Sequence, residues 1–66
     1  MHGNDMNIKL GDLVRVRDHA VAAVHHGKIG VVVAWRLGWP KRYDVLLDGG
    51  IAHFYGIYLE IVDAAR

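Results

Sequence analysis

The β-branched run from Gly27 to Arg36 constrains the fold of this chain more than any other stretch. Valine and isoleucine lose side-chain freedom in a helix and pack well on a pleated surface, so the run predicts a strand. Gly30, near its start, predicts a bulge or a tight bend of the kind that lets a small sheet curl. Both faces of this strand are apolar, so both are expected to be covered. One face carries Ile29, Val31, Val33 and Trp35, and the other carries Val32 and Ala34.

Three further strands are predicted around this run. From Leu13 to Arg17 valines alternate with arginines, which is the period-two pattern of a half-buried strand. The glycines of Asp48-Gly49-Gly50 suit a tight turn, so residues 43–47 and 51–55 are predicted to form an antiparallel hairpin. Its inward side chains would be Tyr43, Val45 and Leu47. The fold class is therefore predicted to be all-β.

Two connections are less regular than the strands. Asp18 is a suitable N-cap and Gly27 a suitable C-terminal glycine for a short helix within residues 18–26, with a long loop as the alternative. After the hairpin, a single 3₁₀ turn near residues 56–59 would place Ile57 and Leu59 under the sheet. Glu60 to Val62 would then form the fifth and last strand.

The length and composition of the chain predict a need for a partner. A domain of 66 residues buries only about 60% of the surface that its unfolded chain exposes, so its stability margin is small. It contains no cysteine, which excludes disulfides and thiolate metal sites, yet 53% of its residues are hydrophobic. Self-association is the simplest way to cover this apolar excess. The formal net charge of +1 neither requires nor excludes nucleic acid as a partner.

Targeting signals are absent from the stretches where they would be expected. Residues 1–7 lack the apolar segment of a signal peptide, and the longest apolar run, Ile29–Trp35, is too short to span a bilayer. The expected location is the cytoplasm, which would be the host cytoplasm for a viral protein, with no membrane partner.

Four segments together resemble an SH3-like barrel, in particular its KOW-type branch and the small SH3-like proteins of tailed bacteriophages. They are Gly11–Val16, Gly27–Val32, Tyr43–Gly50 and Tyr58–Val62. The resemblance covers about residues 8–62, so residues 1–66 are expected to form a single domain with that ordered core. It implies a five-stranded small barrel from a phage or mobile element, and KOW-like domains bind RNA or protein partners.

A more distant resemblance is to the plasmid type II dihydrofolate reductases, which are short SH3-like chains that assemble around a shared pore. Their Val-Gln-Ile-Tyr pore motif corresponds here to Ala52-His53-Phe54-Tyr55, in which only the tyrosine is retained. The resemblance makes His53 and Tyr55 candidate pore or interface residues. Since the glutamine and isoleucine of the motif are replaced, a non-catalytic role is favoured and no cofactor is expected.

Catalytic and metal chemistry find little support in the residue types present. The chain has no serine, threonine or cysteine, so the common hydroxyl and thiol nucleophiles are missing. Asp44 and Asp48 flank the hairpin and are expected to be solvated edge residues. The histidines that remain for a metal are His19, His25, His26 and His53, but neighbours such as His25 and His26 point apart. Both are expected to face solvent, and no metal site is predicted.

The best binding surface in the sequence is basic and aromatic. Its members are Arg15, Arg17, Arg36, Trp39, Lys41 and Arg42. Guanidinium groups bind phosphates and an exposed indole stacks on a base, so nucleic acid is one candidate partner. Trp35 and Tyr43 are expected in the core, whereas Trp39 lies in a glycine- and proline-containing loop and is expected to be exposed. A binding module that self-associates or docks on another protein is the first interpretation, and an RNA- or single-stranded-DNA-binding KOW-like domain is the alternative.

Overall fold

The computed structural model of the protein describes residues 7–18 and 23–65. The strands are β1 (Leu13–Val16), β2 (Ile29–Arg36), β3 (Arg42–Leu47), β4 (Gly50–Tyr55) and β5 (Leu59–Asp63). They form one antiparallel sheet in the order β4-β3-β2-β1-β5. The all-β prediction with five strands is therefore confirmed, with each strand within two residues of its predicted bounds.

The inner face of the sheet encloses the core. Its buried apolar side chains are Ile8, Val14, Val16, Val32, Tyr43, Val45, Leu47, Phe54 and Leu59. The inward direction predicted for alternate residues of β3 is confirmed, because Tyr43, Val45 and Leu47 are all buried. The strand pairing leaves β4 and β5 as edges among the described residues, an arrangement consistent with a small barrel-like fold. In the same part of the chain, no helix has the length and apolar character needed to cross a membrane.

A bulge in β2 changes which residues of that strand share a face. Val32 pairs with Val45 but Ala34 pairs with Asp44, so Val33 is an extra residue without a partner on β3. Beyond the bulge the alternation is reversed, and Trp35 pairs with Tyr43 on the inner side. The predicted grouping of Trp35 with Ile29 and Val31 is therefore wrong. Its predicted place in the core is wrong as well, because its position near the end of the strand leaves it 44% exposed.

Gly30 serves a different purpose from the one predicted. The bulge lies three residues later, and Gly30 instead lets β3 approach β2 closely. A Cβ atom at this position would overlap the carbonyl oxygen of Leu46 and would lie 2.8 Å from both the Cδ2 of Leu47 and the Cγ1 of Val45. The absence of a side chain at Gly30 is thus a packing requirement of the β2–β3 pair.

The connections agree with the predictions in part. Ala23–His25 forms a 3₁₀ turn followed by Gly27 at a φ of 78°, while residues 19–22, which carry most of the predicted helix, lie outside the described residues. The predicted second 3₁₀ turn is present at Gly56–Tyr58. Leu59 is buried after it as expected, but Ile57 is exposed, so its predicted place under the sheet is wrong.

A buried carboxylate joins the two ends of the described chain. Asp12 has no exposed surface, and its Oδ2 accepts a 2.8 Å hydrogen bond from the backbone N–H of Lys9. Its Oδ1 accepts a 2.6 Å bond from the backbone N–H of Ala65, which follows β5. Asp12 therefore links the residues that precede β1 to those that follow β5.

Candidate functional site

Two arginines and a tyrosine form a row on the outer face of the sheet. Arg36 on β2 is paired with Arg42 on β3, and Arg42 is in turn paired with Tyr55 on β4. Directly opposed residues of antiparallel strands point to the same side of the sheet, with Cβ atoms about 4.5–5.5 Å apart. Two positive side chains are therefore held next to each other, an arrangement that repels unless an anion lies between them.

The neighbouring row contains a buried carboxylate with two partners. Asp44 is only 5% exposed, although it lies on the outer face. Its Oδ1 is 2.6 Å from the Nδ1 of His53 on β4, and its Oδ2 accepts a 3.3 Å bond from the Nη2 of Arg36 on β2. The hydrogen bond from His53, aided by Arg36, lowers the pKa of Asp44, against the opposing effect of burial. The prediction that Asp44 is a solvated edge residue is wrong, since side chains from both neighbouring strands cover it.

Arg42 differs from Arg36 in having no hydrogen-bond acceptor among the described residues. Asp44 already accepts from Arg36 and His53, and no hydrogen bond or ion pair reaches the Arg42 guanidinium within residues 7–18 and 23–65. The hydroxyl of Tyr55 is likewise without a hydrogen bond to that part of the chain. The row therefore ends in donors directed to solvent.

The β2–β3 loop places an indole beside this row. Trp39 is fully exposed at the loop tip, as predicted. A depression of about 260 Å³, here called the loop-end pocket, lies between the loop and the row. It is lined by Arg36, Leu37, Gly38, Trp39, Pro40, Arg42 and Tyr55. Three residues of the predicted basic and aromatic surface, Arg36, Trp39 and Arg42, thus come together with Tyr55.

Lys41 lies on another side of the same loop. Its Nζ is 4.6 Å from the ring centroid of Trp35 and 6.0 Å from that of Tyr43, which are cation–π distances. Lys41 and Trp39 also line a separate open groove of about 380 Å³ whose floor includes Tyr43 and Ile57. The ammonium group is therefore held over aromatic rings and is not part of the loop-end pocket.

Arg15 and Arg17 are not part of this cluster. Arg15 lies on β1 opposite Ile29, at the other end of β2 from Arg36, and forms a 3.2 Å ion pair with Glu60. The Nε of Arg17 donates a 3.1 Å hydrogen bond to the carbonyl oxygen of Leu59. The six residues predicted as one binding surface consequently divide into separate groups, and Arg15 and Arg17 already have partners in the fold.

An apolar row crosses the other end of the outer face. Strand pairing aligns Leu13 with Val31, Val31 with Leu46, and Leu46 with Ile51, so four neighbouring strands contribute one residue each. Leu13, Leu46 and Ile51 are 37–57% exposed, and Ile29 and Val33 of β2 are exposed as well. We call Leu13, Val31, Leu46 and Ile51 the outer row. The expectation that both faces of β2 are covered is wrong for the isolated chain.

The histidines within the described residues do not converge on a metal site. The ring of His25 packs edge-on against Phe54 at 5.8 Å, and its buried Nδ1 has no hydrogen-bond partner within the described ranges. The prediction that His25 faces solvent is therefore wrong, and His19 lies outside those ranges. Among the described residues, no three His, Asp or Glu side chains are close enough to hold a metal ion.

No protein-family model matches this chain, and neither a curated protein nor a solved structure gives a significant match. The geometry of the outer face is therefore the basis for assigning a function. It offers two features that sequence reasoning did not find, the outer row and the Asp44–His53 contact. Both depend on strand register, which places residues from different strands side by side.

Proposed function

We propose that this protein is a non-catalytic binding module that self-associates by packing the outer row of one copy against that of another. The observation that carries the proposal is the continuity of Leu13, Val31, Leu46 and Ile51 across β1, β2, β3 and β4. Polar side chains are expected on a solvated outer face, since one-sided sheets alternate apolar and polar residues. A contiguous exposed apolar row marks an interaction surface.

Burial, symmetry, surface area and charge are each compatible with a second copy as the occupant. Burying the part of each outer-row side chain that is still exposed is worth about 1 kcal/mol per residue. A two-fold axis packs a surface patch against itself, so a row that crosses the sheet meets the same row of the partner. A standard interface covers about 800 Å² per partner, which is less than a fifth of the 4420 Å² surface of this chain. The net charge of +1 adds little repulsion between copies.

We interpret the module as an SH3-like barrel. Five antiparallel strands, a long connection after β1 and a 3₁₀ turn directly before β5 are the features on which that interpretation depends. Such small barrels act in many unrelated roles, so the function is inferred from the outer face and not from the fold. Docking on a different protein is the competing role for the same surface.

Light scattering on the full chain across a concentration series tests the proposal. The expected result is a rise from the monomer mass of 7.4 kDa toward twice that value as concentration increases. Leu46→Glu or Ile51→Glu is expected to abolish the rise, because each places a charge in the outer row. Leu37→Glu is the matched control, since Leu37 is an exposed leucine in the β2–β3 loop, away from the row.

Two outcomes would contradict self-association. A monomer mass at every concentration would leave the outer row free for a different protein and would overturn the proposal. Equal loss of assembly in Leu37→Glu and Leu46→Glu would show that the interface lies elsewhere. Far-ultraviolet circular dichroism of each variant establishes that the loss does not come from unfolding.

A further inference from the structure

We propose that the loop-end pocket binds the phosphate group of a nucleotide, with Arg36 and Arg42 as the anion ligands and Trp39 as the stacking surface for the base. This site is separate from the outer row and does not depend on self-association. Its residues lie at the β2–β3 loop, whereas Leu46 and Ile51 lie beside the β3–β4 turn at the opposite end of β3.

The charge balance of the row favours an anion. Arg36 and Arg42 are adjacent across two strands, which costs repulsion between like charges. Asp44 is the one carboxylate in contact with either arginine within the described part of the chain. Asp44 accepts a hydrogen bond from Arg36 but none from Arg42, and its other oxygen is bonded to His53. A ligand phosphate would relieve the repulsion and would supply an acceptor for Arg42, which has none in the part of the chain that the structure describes.

The number of available donors favours phosphate over carboxylate. Asp44 fixes Arg36 through one nitrogen, Nη2, so the remaining N–H groups of that guanidinium are free to donate. Arg42 brings a second guanidinium fork and Tyr55 a phenol from the adjacent strand. Two forks and a hydroxyl offer more donors than the two oxygens of a carboxylate accept, whereas they suit the oxygens of a phosphate.

The size of the pocket and the exposed indole at its rim favour a nucleotide as the carrier of the phosphate. A volume of about 260 Å³ is enough for a small polar group but leaves a larger ligand partly outside. Trp39 lies at the rim with its indole fully exposed. The base of a nucleotide that is bound through its phosphate can therefore stack on this indole. A mononucleotide and a nucleotide within a single strand present the same chemistry to these residues.

Tryptophan fluorescence of the full chain, titrated with thymidine 5′-monophosphate, thymidine and a short oligothymidylate, tests this site. Thymidine monophosphate and the oligonucleotide are expected to quench emission, and thymidine to do so much more weakly. Arg42→Ala is expected to weaken binding about tenfold or more, because a charge-assisted hydrogen bond is lost. Arg42→Lys should give an intermediate affinity, since it keeps the charge without the fork.

Arg15→Ala is the matched control, as it removes an exposed arginine from β1. It is expected to leave the affinity within about twofold, because a charge outside the site contributes only screened long-range attraction. Binding of the oligonucleotide alone, with the same response to Arg42→Ala, supports a site for strand phosphates. Binding of both probes supports a site for the nucleotide itself.

Three results would overturn the proposal. The first is that neither thymidine monophosphate nor the oligonucleotide quenches the emission. The second is an equal loss in Arg15→Ala and Arg42→Ala, which would indicate diffuse attraction to the whole surface. The third is quenching by free glutamate as strong as that by thymidine monophosphate, which would mean that the pocket does not select phosphate. Inorganic phosphate should compete with the nucleotide in the fluorescence titration. Because Trp39→Ala removes the indole that reports binding, isothermal titration calorimetry is used for that variant, which should bind thymidine monophosphate more weakly and inorganic phosphate equally well.

Discussion

The Nδ1 of His53 lies 2.6 Å from the Oδ1 of Asp44, on adjacent strands of the outer face. Because the pKa of Asp44 is lowered, its carboxylate is ionised at neutral pH and accepts the bond, so His53 carries the proton on Nδ1. The other oxygen of Asp44 accepts from Arg36. One buried carboxylate therefore orients an imidazole from β4 and a guanidinium from β2.

Acid should remove the stabilisation that this carboxylate provides. Since folding lowers the pKa of Asp44 from its ordinary value of 3.8, the charged form stabilises the fold above that pH. The contribution is lost as the pH falls through the lower folded-state value. Asp44→Asn should therefore lower the Tm at neutral pH, with the gap from the native chain narrowing below about pH 4. Thermal unfolding followed by circular dichroism between pH 2 and 7 measures this gap.

Asp48→Asn provides the control for this experiment. Asp48 lies in the β3–β4 turn and is 3.5 Å from the Nζ of Lys28 in an exposed ion pair, which contributes little to stability. Its substitution should leave the pH dependence nearly unchanged. A Tm difference for Asp44→Asn that stays constant down to pH 2 would contradict the prediction.

The close approach of β2 and β3 at Gly30 predicts a strong response to a single methyl group. Gly30→Ala should destabilise the fold by about 3 kcal/mol, because overpacking forces the backbones apart. In a domain of this size each kcal/mol lowers the Tm by about 4–8 °C. Thermal unfolding measures the effect, with Gly49→Ala as control, since a Cβ at Gly49 meets nothing within 4 Å. Equal Tm values for the two variants would show that β3 adjusts to the added methyl group.

Local patterns in the sequence were sufficient to predict the strands and the exposure of Trp39. The β-branched composition of β2 and the alternation in β1 each depend on neighbouring residues alone, and both strands are present. Trp35 shows where such patterns fail. The bulge at Val33 reverses the alternation, and no glycine marks its position, so the prediction that Trp35 shares a face with Ile29 and Val31 is wrong. Its predicted burial in the core is wrong because it lies near the end of the strand and is 44% exposed.

The Asp44–His53 contact was missed because of one residue in a turn. A turn of Asp48-Gly49-Gly50 would pair Leu47 with Ile51 and would place Phe54 opposite Asp44. In the structure Leu47 pairs with Gly50, so the turn contains two residues and Asp44 faces His53. A shift of one residue moves every side chain of a strand relative to its partner. The places of Ile51 beside Leu46 and of Tyr55 beside Arg42 depend on the same β3–β4 register.

Asp12 should be more important for stability than any exposed acidic residue of the chain. Asp12→Ala would leave the backbone N–H groups of Lys9 and Ala65 without their acceptor and should cost about 2–4 kcal/mol. Urea unfolding measures the cost as a lower midpoint, with Asp63→Ala as control, because Asp63 is exposed at the end of β5. Faster hydrogen exchange at the amides of Lys9 and Ala65 should accompany the loss, since those two donors lose their bonds. If Asp12→Ala and Asp63→Ala shifted the midpoint equally, the two hydrogen bonds to Asp12 would not hold the β1–β5 end together.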